Sequence, residues 1–135
     1  MSERRYLKPN WMQRHVGNRI APLFQPKMIA KLTVAGRRTG RLFTVPVALL
    51  DHGGERYLLA YRGESDWARN LRAAGSGRLR LRGKDEDITV VEVPADERGE
   101  LFVAYRERFA KMPTVGGVLD AMPDPADHPT FRIVS

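Results

Sequence analysis

The sequence predicts a mainly β protein with helices, an α+β fold built as a small antiparallel barrel of five or six strands. Three observations carry that expectation. Two apolar, β-prone runs at 28–35 and 42–50 flank a glycine-bracketed basic turn, Gly36-Arg37-Arg38-Thr39-Gly40-Arg41, as a hairpin requires. A second tight turn, Asp51-His52-Gly53-Gly54, leads into a third apolar run at 56–61. Further on, Leu79-Arg80-Leu81-Arg82 alternates with period two and is answered by Ile88 to Val93, the pattern of a half-solvated sheet. With 135 residues, 42% of them apolar, the chain is long enough for one core and short for two.

The elements follow in order. Trp11, Met12, Val16, Ile20 and Leu23 recur at near-helical spacing, with Arg14, His15 and Arg19 elsewhere on the wheel, so residues 1–27 are expected to form an amphipathic helical segment interrupted at Pro22. Its apolar side suits one end of the barrel domain, 28–135, and also offers a peripheral contact with a membrane surface. After the first three strands, Asp66 is placed to cap a short helix over 67–74 that stops at Gly75, with Trp67, Asn70, Leu71 and Ala74 on one face. Strands at 79–82 and 88–93 come next. Asp96 then starts a longer helix to about Met112, with Leu101, Tyr105, Arg108 and Phe109 along one side. The stretch 113–129, rich in Pro, Gly and Asp, reads as an irregular loop, and 130–134 as the strand that closes the sheet.

Composition bounds the chemistry. There are 23 Lys and Arg against 16 Asp and Glu, a net charge of +7 that favours anionic partners. No cysteine is present, which excludes disulfides, thiolate nucleophiles and iron–sulfur ligation and suits a cytoplasmic protein. The first residues lack the apolar stretch of a signal peptide, and no run reaches the ~18 apolar residues of a membrane span. His15, His52 and His128 are scattered away from acidic residues at ligand spacing, so no metal site is expected. Hydrolase elbow, Walker loop and dinucleotide fingerprint are all missing. Nucleic acid is not the expected partner, since neither an Arg/Lys-rich recognition helix nor an aromatic stacking platform is visible. An enzyme of this composition takes its reactive atom from a bound cofactor.

Two constellations could hold one. In the first, Arg37, Arg38 and Arg41 offer forked donors that match phosphate or carboxylate oxygens, Thr39 adds a hydroxyl, and Gly36 and Gly40 allow a close backbone approach. In the second, Tyr61-Arg62-Gly63 is followed at once by the helix start Asp66-Trp67-Ala68-Arg69-Asn70-Leu71, which brings a basic residue, a tryptophan and an amide close to exposed backbone N–H groups. The plainer readings are a solvated hairpin turn and a helix pinned to the barrel by Trp67 and Leu71.

Together the two sets resemble the deazaflavin-dependent nitroreductase family, whose members use the 8-hydroxy-5-deazaflavin coenzyme F-420. The resemblance spans about 15–93 and returns at the last strand. It implies a split β-barrel of the flavin- and deazaflavin-binding type, with the coenzyme in a groove on the barrel. Arg37 and Arg38 match the family's basic pair, expected to hold the phosphate and glutamyl carboxylates with Thr39 and Arg41 beside them. Phe43, Thr44 and Val45 match the strand beside the cofactor. Ala60, Tyr61, Arg62 and Gly63 match the strand end near the deazaflavin ring, and Trp67, Arg69 and Asn70 the helix start. Hydride transfer from the reduced coenzyme to an enone, a quinone or a nitro compound is the implied reaction, with Tyr61 and Tyr105 as substrate-side candidates. Flavin mononucleotide is the lesser cofactor candidate, and a non-catalytic binding module the alternative function. Two positions depart from the family pattern: Phe43 stands where many relatives carry a basic residue, which shifts that contact to Arg41, and Tyr61 where a small polar residue is common. Monomer and homodimer both stay open.

Overall fold

The computed structural model describes residues 29–134. The expected amino-terminal helical segment, and any membrane contact made through it, lies outside the described residues. Six strands form a closed antiparallel barrel in the order β1-β2-β3-β6-β5-β4. They are β1 (Ile29–Ala35), β2 (Leu42–His52), β3 (Glu55–Leu59), β4 (Ser76–Leu81), β5 (Lys84–Glu92) and β6 (Thr130–Ile133). Helix α1 (Asp66–Ala74) lies between β3 and β4, and α2 (Gly99–Phe109) and α3 (Pro113–Ala121) lie between β5 and β6. Short 3-10 turns occupy Ala95–Glu97 and Pro125–Asp127.

The basic turn joins β1 to β2 with Ala35 opposite Leu42 and Ile29 opposite Ala48. Inward residues of this pair and of the other strands fill the barrel: Ala30, Leu32, Val34, Val47, Leu49, Leu58, Leu79, Ile88, Val90, Phe131 and Ile133 are all buried. Leu50 and Leu59 point the other way, into a second cluster formed with Leu101, Phe102, Tyr105, Phe109, Met112, Val115 and Leu119 of the α2–α3 region. Strand β2 is thus covered on both faces, which explains why its second half is a continuous apolar run and not an alternating one.

Closure depends on β4 returning to β1, with Leu32 opposite Leu79. At that seam Gly77 lies so close to β1 that a Cβ there would sit 2.9 Å from the Thr33 carbonyl oxygen. Arginine outward and leucine inward holds on β4, where Arg78 and Arg80 pair with Asp87 and Asp85 across the hairpin at 2.9 and 3.1 Å.

Three expectations are corrected. The helix after β3 starts one residue earlier, and its N-cap is Ser65, whose hydroxyl accepts from the Ala68 amide; Asp66 is already in the first turn. Asp96 caps no long helix. It sits in a 3-10 turn, because Arg98 turns inward to bond the Val93 and Ala126 carbonyls at 2.9 and 3.1 Å, and α2 begins beyond it. The stretch 113–129 is not irregular throughout, since its first nine residues are α3. Proline suits the first helical position and pushes the preceding Met112 to extended geometry, while Val115, Val118, Leu119 and Met122 form one buried stripe. Gly116 reads as a breaker in sequence, yet here it lets α3 pass against the Ala110 carbonyl, where a Cβ would be 2.5 Å away.

Candidate functional site

The basic turn is closed by its own backbone: the Gly36 amide donates to the Arg41 carbonyl at 2.7 Å and the Gly40 amide to the Gly36 carbonyl at 2.9 Å. Gly40 has φ +76°, which makes glycine the fitting residue there. Thr39 accepts through its hydroxyl from the Arg41 amide at 3.2 Å, so its side chain shapes the turn. Beyond it Leu42 and Phe43 are exposed, and the Phe43 ring lies against Gly36, with Cε2 2.7 Å from where a Cβ would stand. Thr44 shares a 2.8 Å hydroxyl hydrogen bond with Thr33 across the hairpin, while Val45 packs on the barrel core.

The three arginines of the turn differ in their surroundings. Arg37 donates from its backbone amide and from Nη1 to Asn70 Oδ1, at 3.1 and 2.7 Å, and its Nη2 stands 3.4 Å from Asp66. Arg38 and Arg41 are exposed, and their guanidinium groups engage no partner among the described residues. The turn and the start of α1, two segments far apart in the chain, are therefore brought together by the Arg37–Asn70 contact.

The second constellation forms the link from β3 to α1. The Ala60 amide donates to the Pro129 carbonyl at 2.8 Å, and the Ala60 carbonyl accepts from the Gly63 amide at 3.0 Å. His128, fully buried, holds the same carbonyl through Nδ1 at 3.2 Å and reaches the Met122 carbonyl through Nε2 at 2.7 Å. Gly63 takes φ +97°, and Ser65 then starts the helix. Within this braced turn the Arg62 guanidinium lies 5.2 Å over the Tyr61 ring. Its Nη1 is buried and has no hydrogen-bond partner among the described residues. A buried guanidinium donor left unpaired is costly, so a site that ends in one is suited to an anionic or carbonyl-bearing ligand.

The remaining expected residues differ in exposure. Trp67 is half-buried on the barrel core, its ring centroid 6.3 Å from that of Phe131. Arg69 is exposed and 3.9 Å from Glu64. Tyr105 is 1% exposed, stacked at 4.8 Å on Phe109 in the second core cluster, and burial pushes its hydroxyl well above the ordinary tyrosine range, with Tyr61 adding to the effect. Tyr61 is only partly buried against that cluster, so of the two tyrosines it is the one a ligand can reach.

The sequence patterns do not show a partly buried ionic chain. Glu64 forks onto Arg72 at 3.0 Å, Arg72 meets Glu92 at 2.7 Å, and Glu92 meets the buried Arg98 at 3.0 Å, which ties the loop before α1 to the end of β5. No sequence spacing signals it, since its members sit on four separate segments. A separate groove of about 310 Å³ is bordered by His52, Tyr57, Val91, Glu97, Glu100 and Arg132 among others, and none of the expected site residues lines it. The described residues include no cluster of metal ligands and no helix long and apolar enough to cross a membrane.

Comparison with known proteins agrees with the barrel fold. A solved structure described as a domain-swapped dimer matches with TM-score 0.59 at 18% identity, covering 94% of this chain and 100% of that one. A structure titled as an F420-H2 dependent reductase, FDR-A, matches with TM-score 0.58 at 20% identity over 80% of this chain and 95% of that one. The haem storage protein HutZ from Vibrio cholerae matches with TM-score 0.59 at 16% identity over 86% and 87%. At these identities the likeness is one of fold. The family model described as F420H(2)-dependent quinone reductase matches residues 6–114, a span that includes both constellations. With most of the chain matched and the barrel shared, the chain belongs to the F420H(2)-dependent quinone reductase family.

Proposed function

We propose that this chain binds reduced coenzyme F-420 between the basic turn and the Ala60–Gly63 turn and serves hydride transfer to a quinone-type acceptor. The observation that carries the reading is a set of cations with spare donors among the described residues: Arg38 and Arg41, exposed and without a partner there, and Arg62, whose buried Nη1 has no hydrogen-bond partner there. Such donors fit a ligand with an anionic tail and a carbonyl-rich ring. When bound, the coenzyme supplies a hydride from C5 of its deazaflavin ring. Arg38 and Arg41 would hold the tail's phosphate and carboxylates as forked donors, and the Arg62 guanidinium would offer positive charge to the ring's oxygens. Tyr61 is the apolar surface under that cation, and Phe43 and Leu42 extend an apolar flank beside the turn. No side-chain nucleophile is needed; the residues fix distance, face and local charge.

The family's name and the FDR-A structure's title support the coenzyme, and the family's name supports the quinone class of acceptor. An enone or a nitro compound shares the electron-poor character required. The test is a fluorescence titration with coenzyme F-420 followed by reduction of a soluble quinone. Binding is expected to weaken at least tenfold in a variant carrying Arg38→Ala with Arg41→Ala, and to weaken as salt rises. Equal affinity of wild type and variant overturns the reading.

A further inference from the structure

We propose that Arg37 is a positioning residue that locks the β1–β2 turn onto α1, leaving Arg38 and Arg41 as the pair that meets the anion; this second half rests on the coenzyme reading above. Sequence alone presents Arg37 and Arg38 as an equivalent basic pair. The structure distinguishes them by what their donors already do.

Arg37 closes on Asn70 twice. Its backbone amide and its Nη1 share one acceptor, Asn70 Oδ1, at 3.1 and 2.7 Å. Asn70 is 5% exposed, so its carbonyl oxygen depends on these donors for the hydrogen bonds that water cannot give. The third donor group, Nη2, is directed to Asp66 one turn earlier on the same helix. Asn70 and Asp66 stand four residues apart, hence on one helix face, and Arg37 spans them. The guanidinium charge is thus already opposed by a carboxylate and aligned by an amide.

The turn needs such a lock. Its internal bonds close the loop but do not orient it, and among the described residues Arg37 supplies the hydrogen bonds from 36–41 to another element. Without the lock, Arg38 and Arg41 ride on a hairpin tip held only by the β1–β2 ladder behind it. With it, they are held at a fixed place relative to the start of α1 and to the Arg62 turn that precedes it. Lysine cannot replace Arg37 here, because a single ammonium does not reproduce the fork that reaches Asn70 and Asp66 together.

The experiment is a double-mutant cycle of Arg37→Met and Asn70→Ala, read by urea denaturation of the chain without coenzyme, beside coenzyme F-420 titrations of Arg37→Lys, Arg37→Met and Arg38→Met across salt concentration. The expected result is coupling: Arg37→Met lowers the denaturation midpoint in wild type and hardly further in the Asn70→Ala background, while Arg38→Met leaves it unchanged. Arg37→Lys is expected to bind the coenzyme as weakly as Arg37→Met, both with the wild-type salt dependence, and Arg38→Met to flatten that dependence. Additive effects of Arg37→Met and Asn70→Ala overturn the lock. So does restoration of binding by Arg37→Lys, or a flattened salt dependence in Arg37→Met, since either makes Arg37 a direct charge contact. If wild type binds no coenzyme F-420, the coenzyme reading fails while the stability cycle still decides the lock. Should Asn70→Ala not fold, hydrogen exchange at the Arg37 amide decides it: slow exchange supports the lock, and exchange as fast as at Arg38 overturns it.

Discussion

Single arginines in this chain do unlike things, and their neighbours decide which. Arg98 is buried and satisfied by two carbonyls and Glu92, so it is structural. Arg98→Ala leaves the Val93 and Ala126 carbonyls without their guanidinium donor and Glu92 with Arg72 alone, and a loss of about 2 kcal/mol is expected in urea denaturation. Arg56 forks onto Glu86 at 2.9 and 2.6 Å and holds that carboxyl below its ordinary value of 4.5. Both pair with inward residues of their neighbouring strands, so the pair lies across a mouth of the barrel. A depressed carboxyl contributes stability in full above its unfolded value and loses it as pH falls through the lower folded value. Acid unfolding of Glu86→Gln should therefore lack part of the wild-type drop below about pH 4.5, a comparison that parallel denaturation series will show. The pair is more than one-third exposed on Glu86, so the difference shows at low ionic strength and shrinks with salt.

At the scale of elements, α1 joins the sites to the core. Leu71 and Ala68 on its inner face are fully buried in the barrel, while Asn70 and Asp66 receive Arg37. Leu71→Ala is expected to lower stability by about 3 kcal/mol and to weaken coenzyme binding as the helix shifts, both measurable on one protein sample. Gly77→Ala pushes a methyl group against the Thr33 backbone, which cannot retreat without opening the β1–β4 seam. Accelerated hydrogen exchange confined at first to β1 and β4 is the expected sign. These elements were largely legible in sequence: the turn glycines, the period-two leucines of β4 and the Gly75 stop all have local causes. What was not legible has causes elsewhere in the chain. Arg98 interrupts the helix expected to start at Asp96 because its partners come from Val93 and Ala126, and α3 exists because Gly116 packs on Ala110 and Val115 and Leu119 reach the α2 cluster.

On the scale of the molecule, β6 is legible as the last strand of the sheet, but local patterns do not name its neighbours. It enters between β3 and β5 and completes the barrel only after both helices have been laid down. The same passage delivers His128 and Pro129 to the Ala60 carbonyl and amide, so the last strand braces the turn that carries Tyr61 and Arg62. The candidate site was half visible for the same reason. Residue types and spacing pointed to the basic turn and the α1 start, but that Arg37 is the committed arginine of the turn depends on Asn70 and Asp66, thirty residues or so away along the chain. The central claim is that Arg38, Arg41 and Arg62 receive coenzyme F-420. Its most direct test is a fluorescence titration of the chain with coenzyme F-420 beside an identical one with flavin mononucleotide. Saturable binding of coenzyme F-420, lost on Arg62→Ala and on Arg38→Ala with Arg41→Ala and tighter than that of flavin mononucleotide, is the predicted result; no binding, or a preference for flavin mononucleotide, would contradict it.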